Sequence, residues 1–141
     1  MPIDSELARL GYEVIGAAIE VHRHLGPGLL ESIYEEALAE ELGRRSIPFE
    51  RQVSIPIWYK GIRLKGRHRL DFLVGSQLIL EIKSVEALLD VHKAQLLSQL
   101  RLTHLESGLL INFNVVKLHL GIRRAVNRLG LTLSESFEYI S

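Results

Sequence analysis

Three charged side chains of this sequence lie inside strongly apolar segments. Asp71 lies within residues 70–74, and Glu81 and Lys83 lie within residues 78–84, segments otherwise rich in Leu, Ile, Val and Phe. Because Glu81 and Lys83 are two residues apart, their side chains would leave the same face of a strand. Carboxylates beside a lysine are groups that hold a divalent cation and activate water for hydrolysis. The alternative interpretation is a structural ion pair between a carboxylate and Lys83.

The turn that follows Asp71 decides whether its side chain joins that of Glu81. A three-residue loop over residues 75–77 places Asp71 directly opposite Glu81, with Cβ atoms about 4.5–5.5 Å apart. A two-residue turn would pair Asp71 with Leu80 and rotate it away. The loop contains a glycine, which favours the bulged three-residue form. Two carboxylates this close repel unless a cation or proton lies between them, and oxygen-only ligands suit Mg²⁺ or Mn²⁺.

Basic residues form a second candidate binding feature. The formal net charge is +0, but residues 1–50 carry ten acids and four arginines, whereas residues 51–141 carry thirteen basic residues and seven acids. The densest basic stretch, residues 60–69, is suited to the phosphates of nucleic acid, although a solvated hairpin would have the same composition. Residues 63, 65 and 67 alternate, so we expect them on one face of a strand. The basic residues of the stretch are Lys60, Arg63, Lys65, Arg67 and Arg69.

The spacing of apolar residues predicts the elements that position these side chains. Two amphipathic helices, one capped by Asp4 or Ser5 and one over residues 30–44, flank the helix-breaking Gly26-Pro27-Gly28. Strands are expected at residues 53–59, 62–65, 69–74, 78–83, 107–112 and 117–121, with a third helix at 91–103. Residues 122–127 either continue the last strand or turn helical, and a short helix is expected near residues 134–140. The order ααββββαββ describes an α/β domain whose mixed sheet of about five to six strands is flanked by helices.

Length and composition limit the class of protein. The chain has 141 residues, of which 47% are hydrophobic, and this suits one globular domain; we expect it over residues 1–127, with a tail of uncertain structure at 128–141. Cysteine is absent, which excludes disulfide scaffolds and thiolate metal sites. The longest uncharged apolar stretch is too short for a membrane span, and no signal peptide is recognisable. We therefore expect a cytoplasmic protein without a membrane partner.

Asp71 followed by a hairpin and Glu81-Ile82-Lys83 resembles the D…ExK signature of the PD-(D/E)XK nuclease superfamily. Residues 28–34, Gly-Leu-Leu-Glu-Ser-Ile-Tyr, resemble the GxxExxY motif of a small bacterial and archaeal family placed in that superfamily. The likeness covers roughly residues 5–127. It implies a restriction-endonuclease-like core and a nuclease that uses Mg²⁺ or Mn²⁺ to hydrolyse phosphodiester bonds in DNA or, less favoured, RNA.

The resemblance also implies roles for individual residues in metal binding and catalysis. Asp71 and Glu81 would bind the metal, with the Ile82 carbonyl as a third ligand. Lys83 would be the catalytic lysine, and Glu31 an auxiliary acid that faces the same metal.

Two further positions of the likeness concern the helices around the site. Tyr34 lies one turn after Glu31 on the same helix face and would contact nucleic acid. Gln95 resembles the glutamine of the QxxxY motif found in exonuclease-like branches, but Gln99 stands where that motif has tyrosine. This departure concerns the positioning of substrate more than metal binding.

A rival interpretation is a catalytically silent module that keeps the nuclease fold and binds nucleic acid or a protein partner. The complete set of Asp71, Glu81 and Lys83 favours activity, whereas Gln99 and the small size favour the silent module. The sequence leaves open whether the chain forms a homodimer.

Overall fold

The computed structural model describes residues 5–140, which form three α-helices and six strands; Asp4, one of the two expected caps of the first helix, lies outside these residues. Among them, no helix has the length and apolar character needed to cross a bilayer. The elements are α1 Ser5–Leu25, α2 Glu31–Arg44, β1 Phe49–Tyr59, β2 Ile62–Val74, β3 Leu78–Lys83, α3 Asp90–Thr103, β4 Ser107–Asn112, β5 Ile122–Val126 and β6 Phe137–Tyr139.

The six strands form a single mixed sheet in the order β1-β2-β3-β4-β5-β6. Only β3 and β4 are parallel, and α3 makes the crossover between them, as a parallel connection requires. The other neighbouring pairs are antiparallel. This architecture confirms the expected α/β class and mixed sheet, and it is consistent with a restriction-endonuclease-like core.

Apolar side chains cover both faces of the sheet. On one face α1 and α2 pack against alternate residues of β3, represented by Leu80 and Ile82. On the other face α3 packs against Ile79 and Leu110. A Cβ at Gly108 would lie 2.9 Å from Leu96, so the glycine in β4 permits the close approach of α3. The sheet is thereby fixed from both sides, and charged side chains that point from it are held in rigid surroundings.

Three details of the predicted element order are wrong. The strands expected at residues 62–65 and 69–74 are one continuous strand, β2. Residues 117–121 do not form a strand: Leu118–Gly121 is a 3₁₀ turn that packs so closely on the end of β4 that a side chain at Gly121 would overlap the Asn112 carbonyl. The helix expected near residues 134–140 is a 3₁₀ turn, Ser134–Ser136, followed by β6, which pairs with β5. The tail therefore adds the edge strand of the sheet.

Candidate active site

The hairpin of β2 and β3 has the register expected from its loop. Val74 pairs with Leu78 and Phe72 with Leu80, so residues 75–77 form a three-residue connection. Gly75 and Ser76 adopt positive φ values of 57° and 58°, and the Gln77 N–H donates to the Val74 carbonyl at 3.1 Å, as in a type I′ turn. The three-residue alternative is thus confirmed, and the same register places Asp71 beside Glu81.

The carboxylate of Asp71 lies where the ladder between β2 and β3 stops. The last registered pair is Phe72 with Leu80. Two residues farther along β3 the main-chain pairing is replaced, because the N–H of Ile82 donates to Oδ2 of Asp71 at 2.9 Å. This bond fixes the Asp71 side chain between the two strands and directs it toward the Glu81 position.

Glu81 is the charged group that the fold buries most deeply at this point, with only 5% of its surface exposed. Burial raises the pKa of Glu81 to about 9, and a hydrogen bond and the charge of Asp71 add to this rise. Gln99 and Lys83 act in the opposite direction but do not offset it. At neutral pH and without a cation, Glu81 therefore keeps a proton and hydrogen-bonds to Asp71. A divalent cation bound by the two carboxylates would replace that proton.

Gln99 of α3 is a site residue whose contact with Glu81 was not predicted from the sequence. Its side chain is 1% exposed and hydrogen-bonds to Glu81, which lowers the pKa of that carboxyl. Its Nε2 lies 2.8 Å from Nε2 of His68 on β2. Within residues 5–140 its Oε1 has no hydrogen-bond partner. Gln95 is one turn earlier on the helix and is exposed, so Gln99 is the glutamine that touches the carboxylate pair. The signal available in the sequence was its i+4 spacing from Gln95.

Lys83 and Glu31 approach the pair from the end of β3 and the start of α2. Lys83 is half-buried at the last residue of β3. Glu31 is the first residue of α2, and part of its side chain is exposed. Partial burial raises the pKa of Glu31. The charge of Lys83 opposes this rise, and the charge of Asp71 adds to it. Glu31 therefore interacts electrostatically with both Lys83 and Asp71.

Tyr34 is a correction to the expectation that it contacts nucleic acid. Its side chain is fully buried, and its ring stacks on Phe113 at a centroid distance of 4.6 Å. Its hydroxyl donates to the Gly26 carbonyl at 2.5 Å and accepts from the Leu29 N–H at 3.1 Å. A side chain with no exposed surface is not available to a ligand. Through its two hydrogen bonds Tyr34 instead fixes the loop that leads into α2.

A second bond ties that loop to the end of β3. The hydroxyl of Ser84 donates to the Leu29 carbonyl at 2.6 Å. Ser84 directly follows Lys83, so the loop before α2 is held against the strand that carries the candidate catalytic lysine. This contact, with those of Tyr34, sets the position of Glu31.

The donor set fits a hard cation with few protein ligands. Among residues 5–140, no group of three or more His, Cys, Asp or Glu side chains is arranged to hold a metal ion. Asp71 and Glu81 form a pair of carboxylates, and Mg²⁺ characteristically binds one or two carboxylates while it keeps several waters. The charge of Lys83 lowers the pKa of Glu81 but does not offset burial and the charge of Asp71, which raise it to about 9. Glu31 lies beside the pair without completing a three-carboxylate cluster.

The five basic residues lie on the outer part of the hairpin of β1 and β2. Lys60 is at the turn, and all five are exposed. The expected alternation on one face is interrupted: Trp58 pairs with Arg63 and Pro56 with Arg67, so residues 64–66 lie opposite Ile57 alone. Arg67 is also partly engaged, since its guanidinium donates to the Ser54 hydroxyl at 2.6 Å and the Ser54 carbonyl at 3.1 Å.

Comparison with known proteins agrees with the geometry. A family model described as the PD-(D/E)XK nuclease superfamily matches residues 8–125. No curated protein and no solved structure matches the chain significantly. The matched span contains the register that places Asp71 beside Glu81, Lys83 at the end of the same strand, and Glu31 at the start of α2. The chain belongs to the PD-(D/E)XK nuclease superfamily.

Proposed function

We propose that this protein is a metal-dependent nuclease that hydrolyses phosphodiester bonds in DNA with Mg²⁺ or Mn²⁺. One observation carries the proposal. Glu81 is buried with a pKa of about 9 against the carboxylate of Asp71, and Lys83 follows on the same strand. Such a cluster is costly to bury for stability alone, and strongly perturbed carboxyls in contact with a specific charged partner mark candidate catalytic sites.

Each residue has a defined part in this proposal. Asp71 and Glu81 would hold the cation, with the Ile82 carbonyl as a further ligand. When bound, a divalent cation stabilises the negative charge that develops on the scissile phosphate. Lys83 would orient the attacking water and stabilise the same charge with its ammonium group. Gln99 keeps the Glu81 carboxylate in place, and Glu31 would orient water from the α2 side.

We also propose that residues 28–34 form the GxxExxY motif and that the protein is located in the cytoplasm. Tyr34 of that motif supports the loop before α2, which supplies a physical reason for the pairing of its glutamate and tyrosine. Formation of a homodimer by this chain stays a prediction.

The silent-module alternative is favoured by Gln99, which stands where the QxxxY motif has tyrosine. A polar side chain at this position still contacts Glu81. The substitution therefore keeps a partner for the carboxylate pair, and we place nuclease activity first.

Cleavage of several substrates by wild type and Lys83→Ala tests the proposed function. Linear duplex DNA, supercoiled DNA, single-stranded DNA and RNA are incubated with Mg²⁺ or Mn²⁺, with a chelator as blank. Wild type should cleave DNA, and Lys83→Ala should lose at least about 100-fold in rate, as expected for a lost catalytic group. Lys117→Ala, which changes an exposed lysine with no part in the proposed mechanism, should cleave like wild type. Binding of DNA without cleavage under every condition would replace this proposal by the silent module.

A further inference from the structure

The outer end of the hairpin of β1 and β2 projects beyond the rest of the sheet. We define the arm as residues 58–67, each of which is exposed. Within residues 5–140, β1 pairs with β2 alone, and β3 pairs with β2 only from Phe72 to Val74. No third strand of this described part therefore continues along the arm, which forms a two-stranded ribbon.

The arm carries large apolar side chains that no part of the described chain covers. The exposed fractions are 58% for Trp58, 59% for Tyr59, 66% for Ile62 and 42% for Leu64. Isolated two-stranded ribbons are only marginally stable in water, and grouped exposed apolar residues mark interaction surfaces. These side chains indicate that the arm is completed by a partner.

The charge of the arm indicates what kind of partner it is. Residues 51–70 contain no Asp or Glu, and Lys60, Arg63, Lys65 and Arg67 all lie on the arm. Arg67 is held by Ser54 at the base, whereas Arg63 and Lys65 extend from the exposed part. Apolar side chains framed by cations and free of acids complement a polyanion that also presents apolar groups, as nucleic acid does.

The dimensions of the arm distinguish between forms of nucleic acid. The ribbon runs from the pair Pro56–Arg67 to the pair Tyr59–Ile62, about 10 Å at 3.3 Å per residue. The major groove of B-form DNA, about 12 Å wide and 8.5 Å deep, admits a two-stranded ribbon, whereas the minor groove is only about 6 Å wide. The major groove of A-form RNA is too narrow for protein side chains to read, and single strands have no groove.

The base of the arm is fixed to the candidate active site. β2 continues without interruption from Arg67 to Asp71, about 13 Å farther along the strand. Between them His68 contacts Gln99, which in turn contacts Glu81. A duplex held by the arm would therefore lie beside the carboxylate pair.

We propose that the arm inserts into the major groove of B-form DNA, which makes duplex DNA the substrate class of this nuclease. Tyr59 and Ile62, which pair across the ribbon and share one face, contact base edges, and Arg63 and Lys65 contact the flanking phosphates. This inference rests on the proposed function and adds to it the form of nucleic acid.

Equilibrium binding in Ca²⁺, used in place of Mg²⁺ to suppress cleavage, tests the proposal. The probes are a 20-base-pair DNA duplex, one of its single strands and an RNA duplex of the same sequence, each fluorescently labelled. Wild type should bind the DNA duplex at least about tenfold more tightly than the other two probes. The double variant Tyr59→Ser/Ile62→Ser should lose this preference while its melting temperature stays unchanged, because both side chains are exposed.

A matched control removes exposed apolar side chains elsewhere. Tyr12→Ser/Leu129→Ser changes residues 78% and 105% exposed, outside the arm, and should keep the wild-type preference. Equal binding of the three probes by wild type, or an unchanged preference in the arm variant, would overturn the proposal. Self-association of wild type that the arm variant loses, without a duplex preference, would assign the arm to a second copy of the chain. Metal-dependent cleavage without a duplex preference refutes only the arm, whereas an arm-dependent duplex preference without cleavage refutes only the nuclease.

Discussion

The proton on Glu81 links the candidate active site to the stability of the fold. The pKa of Glu81 is about 9 in the folded protein against an ordinary value of 4.5. Between these values the folded chain binds a proton that the unfolded chain has released, so the free energy of unfolding falls as pH rises. We predict that Glu81→Gln removes most of this slope and raises stability at pH 8 by a few kcal/mol, because the variant folds without taking up a proton, an uptake that costs about 1.4 kcal/mol for each pH unit above the unfolded pKa.

Urea unfolding at several pH values from 5 to 9 measures this effect. Glu86→Gln, which changes an exposed acid in the loop after β3, serves as the control and should keep the wild-type slope. If the free energies of unfolding of wild type and Glu81→Gln depend on pH alike, Glu81 is not the buried group that binds the proton.

At the residue scale, the sequence predicted the charged part of the site better than its supports. Asp71, Glu81 and Lys83 were recognisable because charges stand out within apolar strands. Tyr34 was assigned to nucleic acid because its helix face was predictable, whereas its burial against Phe113 depends on the chain after β4. The contact of Gln99 with His68 joins residues 31 positions apart, and no local pattern reports it.

At the scale of elements, register was predictable where a short loop determines it. The connection over residues 75–77 sets the pairing of β2 with β3, and the predicted pairing is confirmed. The strand expected at 117–121 failed because packing of Gly121 on Asn112 overrides its local pattern. β6 was missed because three residues at a sheet edge carry almost no periodicity.

The loop into α2 gives a prediction at the same scale. Tyr34→Phe keeps the ring stacked on Phe113 but removes the hydroxyl that bonds to Gly26 and Leu29. We predict a loss of about 1–3 kcal/mol in the free energy of unfolding, because the buried partners lose a hydrogen bond. Urea unfolding measures it, and Tyr12→Phe, at an exposed tyrosine of α1, is the control. Equal stabilities of the two variants would show that the hydroxyl does not secure the loop.

At the scale of the whole molecule, the fold separates the rigid candidate site from the exposed arm. Helices on both sides of the sheet fix the strands that carry Asp71 and Glu81, while β1 and β2 extend past them as the arm. Composition and periodicity were sufficient for the α/β class. They did not show that the basic stretch leaves the body of the protein, since strand length relative to its neighbours is a tertiary property.

We propose that Asp71 and Glu81 form a binding site for a divalent cation. Cleavage depends on the choice of substrate, whereas metal binding depends only on the site. Titration calorimetry with Mg²⁺ and Mn²⁺ at pH 7, in two buffers of different ionisation enthalpy, measures both binding and proton release.

Wild type should bind the metal and release about one proton, because Glu81 must ionise to act as a ligand. Asp71→Asn should lose binding, because the amide no longer carries the charge that holds the cation. Its oxygen can still accept from the Ile82 N–H. Glu86→Gln should bind like wild type. Binding by Asp71→Asn equal to that of wild type, or no binding by wild type with either metal, would contradict the account.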